Sequence, residues 1–197
     1  MRIDRFDREK LKEVLNENVM PKLMCAYKRV FEGPPWFEKW ELEEVKKVIK
    51  ETILEKESVK GEIMFLKKKE KEEELIGFIW GYKFVENGKP VTSPTVDFES
   101  VIAIMRERGY EPEVSFYLAE FGILPEKQNN GYGYTLLKDF VDYLKENGED
   151  YMFYRTINTV VIYLSEKLER DGKVKKFKRD LFTDPRYPKR KWQLVIL

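Results

Sequence analysis

Histidine is absent from all 197 residues. That removes Ser-His and Cys-His nucleophilic catalysis, His-ligated zinc and imidazole general-base chemistry together. Cysteine occurs once, at Cys25, so no internal disulfide forms. With no signal-type N-terminus, the chain reads as a protein of a reducing compartment, the cytoplasm, with Cys25 as a core thiol. No apolar run approaches the roughly 18 residues that span a bilayer, and no membrane role is expected. Charge of one sign is lacking too: 37 Lys and Arg face 36 Asp and Glu. The signs are interspersed and leave no field that draws nucleic acid or an anionic membrane. No metal-ligand set is read from the sequence.

Apolar residues make up 42% of the chain and aromatics 14%, enough to offset the entropy of ordering one domain over 1-197. The charge runs Lys67 to Glu74 and Lys173 to Arg179 read as solvated hairpin faces. The excess of Glu and Lys over thermolabile Gln and Cys is the usage of a heat-adapted protein.

Periodicity orders the chain. Arg2 to Phe6 alternates as a strand, and Asp7 caps a following helix. Pro21 opens a second helix with Leu23, Tyr27, Val30 and Phe31 at helical spacing, stopped by Gly33-Pro34-Pro35. A third helix runs from Glu41 to about Lys56. Glu62 to Leu66 and Leu75 to Val85 are strands around a charged hairpin tip. Residues at about 86-112 read as an insertion that carries a short helix capped by Asp97. Val114 to Leu124 is apolar enough for a central strand. Beyond it lie a helix to Asn147-Gly148, a strand Tyr151 to Thr156, a further helix, and a closing pair, Phe177 to Phe182 and Trp192 to Leu197. The fold class is α+β (mixed α/β), with a central, mostly antiparallel twisted sheet of about six to seven strands flanked by helices.

Between the central strand and its helix lies Ile123-Leu-Pro-Glu-Lys-Gln-Asn-Asn-Gly-Tyr-Gly-Tyr134. Gly131 and Gly133 let backbone N–H groups approach an anion, and the helix adds its positive end. On G-x-G alone an ordinary strand-to-helix turn with two glycines is the better reading. A dinucleotide loop needs a third glycine, and position 136 is Leu.

An apolar strand ending in Ile-x-Pro, then Gln-x-x-Gly-x-Gly and Leu-Leu, resembles the signature of the GNAT superfamily of N-acetyltransferases. Ile123, Pro125, Gln128, Gly131 and Gly133 occupy its places, and Ala119-Glu120-Phe121 is similar to the Ala-Glu-Phe that introduces the loop in some members. Val30-Phe-x-x-Pro-Pro-Trp36 is similar to the loop between the first two helices, which borders the acceptor site. Asn158 matches an Asn that contacts or positions the pantetheine arm.

The resemblance implies a GNAT-like fold and acetyl-CoA as cofactor. It puts pantetheine on the backbone of Ile123 and Leu124. It puts the pyrophosphate on Gln128, Asn129, Asn130, Gly131, Tyr132, Gly133 and Tyr134, with Lys127 adding screened charge. It implies direct attack of a small-molecule or peptide amine on the thioester, with Glu120 as first candidate base and Glu113 as second. Trp36, Phe37, Trp40, Trp80 and Tyr82 are candidate walls for the amine. Many members place a Tyr seven residues after the Asn, but this chain has Ser165 there and Tyr163 two positions away. The acid thus stays open among Ser165, Tyr163, Tyr134 and water. A homodimer through edge strands is a further implication, and a non-catalytic acyl-CoA-binding module is the competing reading.

Overall fold

The computed structural model describes residues 1–67 and 73–197. Its elements in order are β1 (Arg2–Asp7), α1 (Leu11–Val14), α2 (Met20–Glu32), α3 (Leu42–Ile49) continued by a π-helical turn (Lys50–Leu54), β2 (Lys60–Lys67) and β3 (Glu73–Lys83). A small hairpin, β4 (Val85–Glu86) and β5 (Lys89–Pro90), and α4 (Phe98–Glu107) precede β6 (Ser115–Ile123). Then come α5 (Tyr132–Glu146), β7 (Tyr151–Thr156), α6 (Thr159–Arg170), β8 (Lys176–Thr183) and β9 (Lys191–Ile196). Seven strands form one sheet in the order β1-β2-β3-β6-β7-β9-β8, mixed and mostly antiparallel, as the alternation predicts. The centre of the expected hairpin tip, 68–72, lies outside the described residues. Among the described residues no helix is long and apolar enough to cross a membrane.

The chain condenses into two compact units, Met1–Gly81 with Ala119–Phe140, and Tyr82–Leu118 with Val141–Leu197. In the first, α2 turns Leu23, Ala26, Tyr27, Val30 and Phe31 inward at i, i+3, i+4, i+7 and i+8, one stripe of a 3.6-residue helix. The same period turns Cys25 outward, so the expected core thiol is corrected: Cys25 is exposed. The stripe packs on Ile63, Phe65, Phe78 and Trp80 of β2 and β3, with Val45, Ile49 and Ile53 closing the core. A Cβ on Gly77 would lie 2.5 Å from the Ile123 side chain, so that glycine lets β3 pack closely against the end of β6.

This unit also buries an acid that sequence reading passed over. Glu62 on β2 is fully buried. Its Oε1 accepts from Arg5 Nε at 3.1 Å, while Oε2 meets no donor. Burial and then the Asp139 carboxylate push Glu62 up to about 9 from 4.5, against the pull of Arg5. Protonated, it donates to Asp139. The folded state therefore holds a proton that the unfolded chain releases above pH 4.5. This contribution to stability is whole below that pH and is lost as pH rises through about 9, with a slope of about 1.4 kcal/mol per pH unit. In urea titrations between pH 5.5 and 8.5, Glu62→Gln is expected to lose less stability than the parent over that range. Parallel pH slopes would show Glu62 ionised in the fold.

In the second unit, Asn87 and Gly88 take positive φ of 52° and 74° in a tight hairpin turn, and Asp97 caps α4 by accepting from Ser100 N. The segment expected as an insertion supplies core: Phe98, Val101, Ile102 and Met105 are buried. The Phe98 ring meets Tyr82, Phe84 and Tyr117 edge-on, a favoured geometry for aromatic pairs. On β8 two cations of the 173–179 run pair with α6, Lys176 with Glu169 and Arg179 with Glu166.

Candidate functional site

β6 ends where Pro125 removes a ladder donor, and a 3-10 turn, Pro125–Lys127, leads to the loop before α5. Within that loop Asn129 and Gly131 adopt positive φ of 62° and 80°. Gln128 before them is extended, with φ −65° and ψ 166°, and left-handed positions in such a turn can present backbone N–H groups to an anion, as an anion nest does. The loop is tied from behind: Asn130 Nδ2 donates to the Gln128 carbonyl at 2.8 Å, and Lys127 N to the Leu124 carbonyl at 2.8 Å. A Cβ at Gly131 would meet nothing within 4 Å, so that side is open. From Lys127 to Tyr134 there is no acidic residue, and the fifteen-residue α5 adds its positive end. These residues fit a diphosphate. Lys127 is itself paired with Glu74 at 3.1 Å.

The two backbone positions assigned to pantetheine differ. Leu124 donates its N–H to Ile76 of β3 and accepts from Lys127 N, so both its groups are in use. Alternation along a strand turns the neighbouring Ile123 away from β3, and its carbonyl accepts from Gln128 Nε2 at 3.1 Å.

Glu120 is half-buried on β6 and accepts from the Tyr27 hydroxyl at 3.3 Å. Tyr27 stacks on Phe78 and Trp80 at 5.8 and 6.0 Å, with Trp40 edge-on at 5.8 Å. The carboxylate thus meets an aromatic wall. Sequence reading took Tyr27 only as a member of the α2 stripe; a polar tip in an otherwise apolar stripe was the available signal. Trp80 is fully buried in that wall, and Trp36 is half-buried against Phe31. Phe37 is 71% exposed at a positive φ of 52°, a strained conformation for an aromatic residue.

Glu120, Ile123, Leu124, Lys127, the 128–134 loop, Trp36, Phe37, Trp40 and Trp80 therefore all belong to the first unit. The second holds the others. Asn158 caps α6, its Oδ1 accepting from Val160 N at 2.9 Å, which leaves its amide NH2 to donate. The Ser165 hydroxyl is buried and hydrogen-bonded to Tyr154 at 2.7 Å. Tyr163 is exposed under the Arg170 guanidinium. Tyr82 is buried. Glu113 sits at the surface 2.6 Å from Arg106, lowered in pKa by its own backbone hydrogen bond and by Arg106.

Comparison with known proteins agrees with this geometry. The sequence matches the model of the acetyltransferase (GNAT) family over residues 25–167, well over half of the chain. Among curated proteins none matches at the sequence level. The fold is similar to the ribosomal-protein-alanine N-acetyltransferase of Brucella melitensis, with a TM-score of 0.56 at 13% identity over 100% of both chains. It is similar to a domain from Methanocaldococcus jannaschii, with a TM-score of 0.60 at 13% identity over 100% of this chain and 99% of that one. Arabidopsis thaliana NAA60, solved with a bisubstrate analogue, gives 0.53 at 15% over 100% and 97%. With the family matched across β6, the glycine-containing loop and α5, the chain belongs to the GNAT family of acetyltransferases.

Proposed function

We propose that the first unit binds acetyl-CoA on the 128–134 loop and presents an amine acceptor to Glu120 in front of the Tyr27 wall. GNAT acetyltransferases use acetyl-CoA, which supplies an activated acetyl thioester that an amine attacks with release of a thiol. The observation that carries the reading is the Tyr27–Glu120 hydrogen bond, on a strand whose end runs into an open, acid-free nest.

Each residue then has a task. Backbone N–H groups from Gln128 to Tyr134 hold the phosphates, and Ile123 offers its backbone to pantetheine as an added strand would. A free alkylamine is protonated at neutral pH. Glu120 takes that proton directly or through water, and the apolar surroundings that Tyr27 and Trp36 give it disfavour the ammonium by excluding water, with the buried Trp80 stacked on Tyr27 from within. Phe37 closes on the acceptor from the exposed turn after Pro35. With the Ser165 hydroxyl engaged by Tyr154, the proton for the departing thiolate comes from water or the Tyr134 hydroxyl, and a coenzyme thiolate leaves without a strong acid. The acceptor is a small-molecule or peptide primary amine. The Brucella neighbour acts on a ribosomal protein's alanine and a Vibrio cholerae neighbour on spermidine, which brackets that range. The cytoplasm, a heat-adapted source and homodimer formation complete the reading, resting on the lone cysteine, the Glu and Lys usage and the exposed sheet edges.

Thermal melts with acetyl-CoA, NADH and ATP test the first half. Acetyl-CoA at about a hundred times its Kd adds about 2.7 kcal/mol, and the other two leave the melt unchanged. Thiol release over an amine panel tests the second half. A shift without thiol release on any amine would favour the non-catalytic binding module, and no shift with acetyl-CoA would end the cofactor assignment.

A further inference from the structure

The turn that follows α3 carries a polar side chain where packing calls for an apolar one. Val45, Val48, Ile49, Thr52 and Ile53 stand at i, i+3, i+4, i+7 and i+8, the inward stripe of a helix. Valine has the shape of threonine and would fill position 52 on burial alone. The hydroxyl makes two contacts that valine cannot. It donates to the Val48 carbonyl at 2.7 Å, the bond a helical threonine makes to the preceding turn. It also accepts from Trp80 Nε1 at 3.2 Å. Donating to Val48 fixes the rotor, so a lone pair faces the indole. The backbone is widened here: Glu55 N reaches back five residues to the Lys50 carbonyl at 2.9 Å, a π-helical turn of the kind often found at functional sites.

Trp80 is held at both ends. Its side chain is fully buried, and across the ladder it faces Gly61, where a Cβ would lie 2.8 Å from the Trp80 Cβ. At the far edge Thr52 takes the N–H. A buried indole N–H without an acceptor costs the full desolvation of that group, so the ring keeps the tilt that points Nε1 at Thr52. That tilt is passed on. Tyr27 stacks on Trp80 at 6.0 Å with 25° between the planes, and on Phe78 at 5.8 Å and 19°. Its hydroxyl reaches Glu120 Oε1 at 3.3 Å, longer than the usual O–H···O distance of about 2.7–2.8 Å. A small rotation of the Tyr27 ring therefore decides how well that bond forms.

We propose that Thr52 is a positioning residue for acetyl transfer: through the Trp80 indole it sets the plane on which Tyr27 stacks, and so the line of the Tyr27 hydroxyl onto Glu120. The role rests on the reading of Glu120 as the base. Thr52 itself touches no reacting atom, and all four residues lie in the first unit.

Steady-state kinetics of Thr52→Val, Thr52→Ser and Tyr27→Phe, singly and combined, test this chain of contacts. Thr52→Val keeps the shape and removes the acceptor. It is expected to lower kcat about two- to tenfold, within the loss that Tyr27→Phe causes, with the KM for acetyl-CoA unchanged. Thr52→Ser restores the hydroxyl and should restore kcat. In the Tyr27→Phe background Thr52→Val should cost no more, because residues acting through one contact are not additive. A parent-like kcat for Thr52→Val overturns the proposal, as do losses that multiply in the double variant. If Thr52→Val melts below the assay temperature, Trp80→Phe removes the N–H together with its need for an acceptor and should lower kcat within the same range. A parent-like kcat there overturns the proposal too. A second readout needs no turnover. In isotope-labelled protein the NMR resonance of the Glu120 carboxyl carbon should move in the same direction in Thr52→Val as in Tyr27→Phe. A resonance unmoved by Thr52→Val overturns the proposal. Glu120→Gln reports separately on the base: if it turns over like the parent, the base reading ends, and the resonance still decides whether Thr52 sets the Tyr27 contact.

Discussion

Gly131→Asp is expected to leave the fold intact and to abolish the stabilisation that acetyl-CoA confers. At a φ of 80° any side chain is strained, but Asp and Asn tolerate the left-handed region best, at a cost of roughly 1–2 kcal/mol. A Cβ there meets nothing within 4 Å, so no clash adds to it. What changes is the charge. A carboxylate at the mouth of the nest faces a diphosphate a few ångströms away. At an effective dielectric near 20–40 that repulsion is several kcal/mol, more than ~100-fold in Kd. Gly131→Asn carries the same strain without the charge and is the paired control. Thermal melts and calorimetric titration should show the Asn variant binding and the Asp variant not. Equal affinities in the two would place the phosphates elsewhere.

Glu120→Gln should act on turnover and leave the cofactor in place. The carboxylate lies between the Tyr27 hydroxyl and the aromatic wall, so the amide fits the same space and still accepts from Tyr27. Without a base the reaction draws on the small free fraction of an amine with a pKa near 10. A loss of about 10²–10⁴ in kcat follows, shrinking as pH rises, while the acetyl-CoA melt is unchanged. Tyr27→Phe removes one hydrogen bond worth about 0.5–1.5 kcal/mol and should cost turnover up to about tenfold. Glu120→Gln turning over like the parent at neutral pH would move the base to another group.

Much of the fold was legible because its signals are local. Strand alternation and helical stripes placed nearly every element, and Asp97 capped α4 where it was expected to. The open turn between β6 and α5 was legible too, since Gln-x-x-Gly-x-Gly after a strand fixes backbone conformation over a few residues. Cys25 was misread because apolar character was weighed above its place on the helix: the α2 period turns position 25 outward between Leu23 and Ala26. Glu62 and Arg155 looked like ordinary strand charges. Their burial depends on Asp139 and Asp184, which stand 77 and 29 positions away in the chain, and no local pattern encodes such pairs.

By itself, the sequence determined the order of elements, the glycine-containing turn before α5 and the exclusion of histidine chemistry, because composition and short-range spacing set these. Only the tertiary structure decided that Tyr27 holds Glu120, that Leu124 spends its backbone on β3, and that Thr52 holds the Trp80 indole. Those facts join residues far apart in the chain, and the close packing of the folded core brings them within bonding distance.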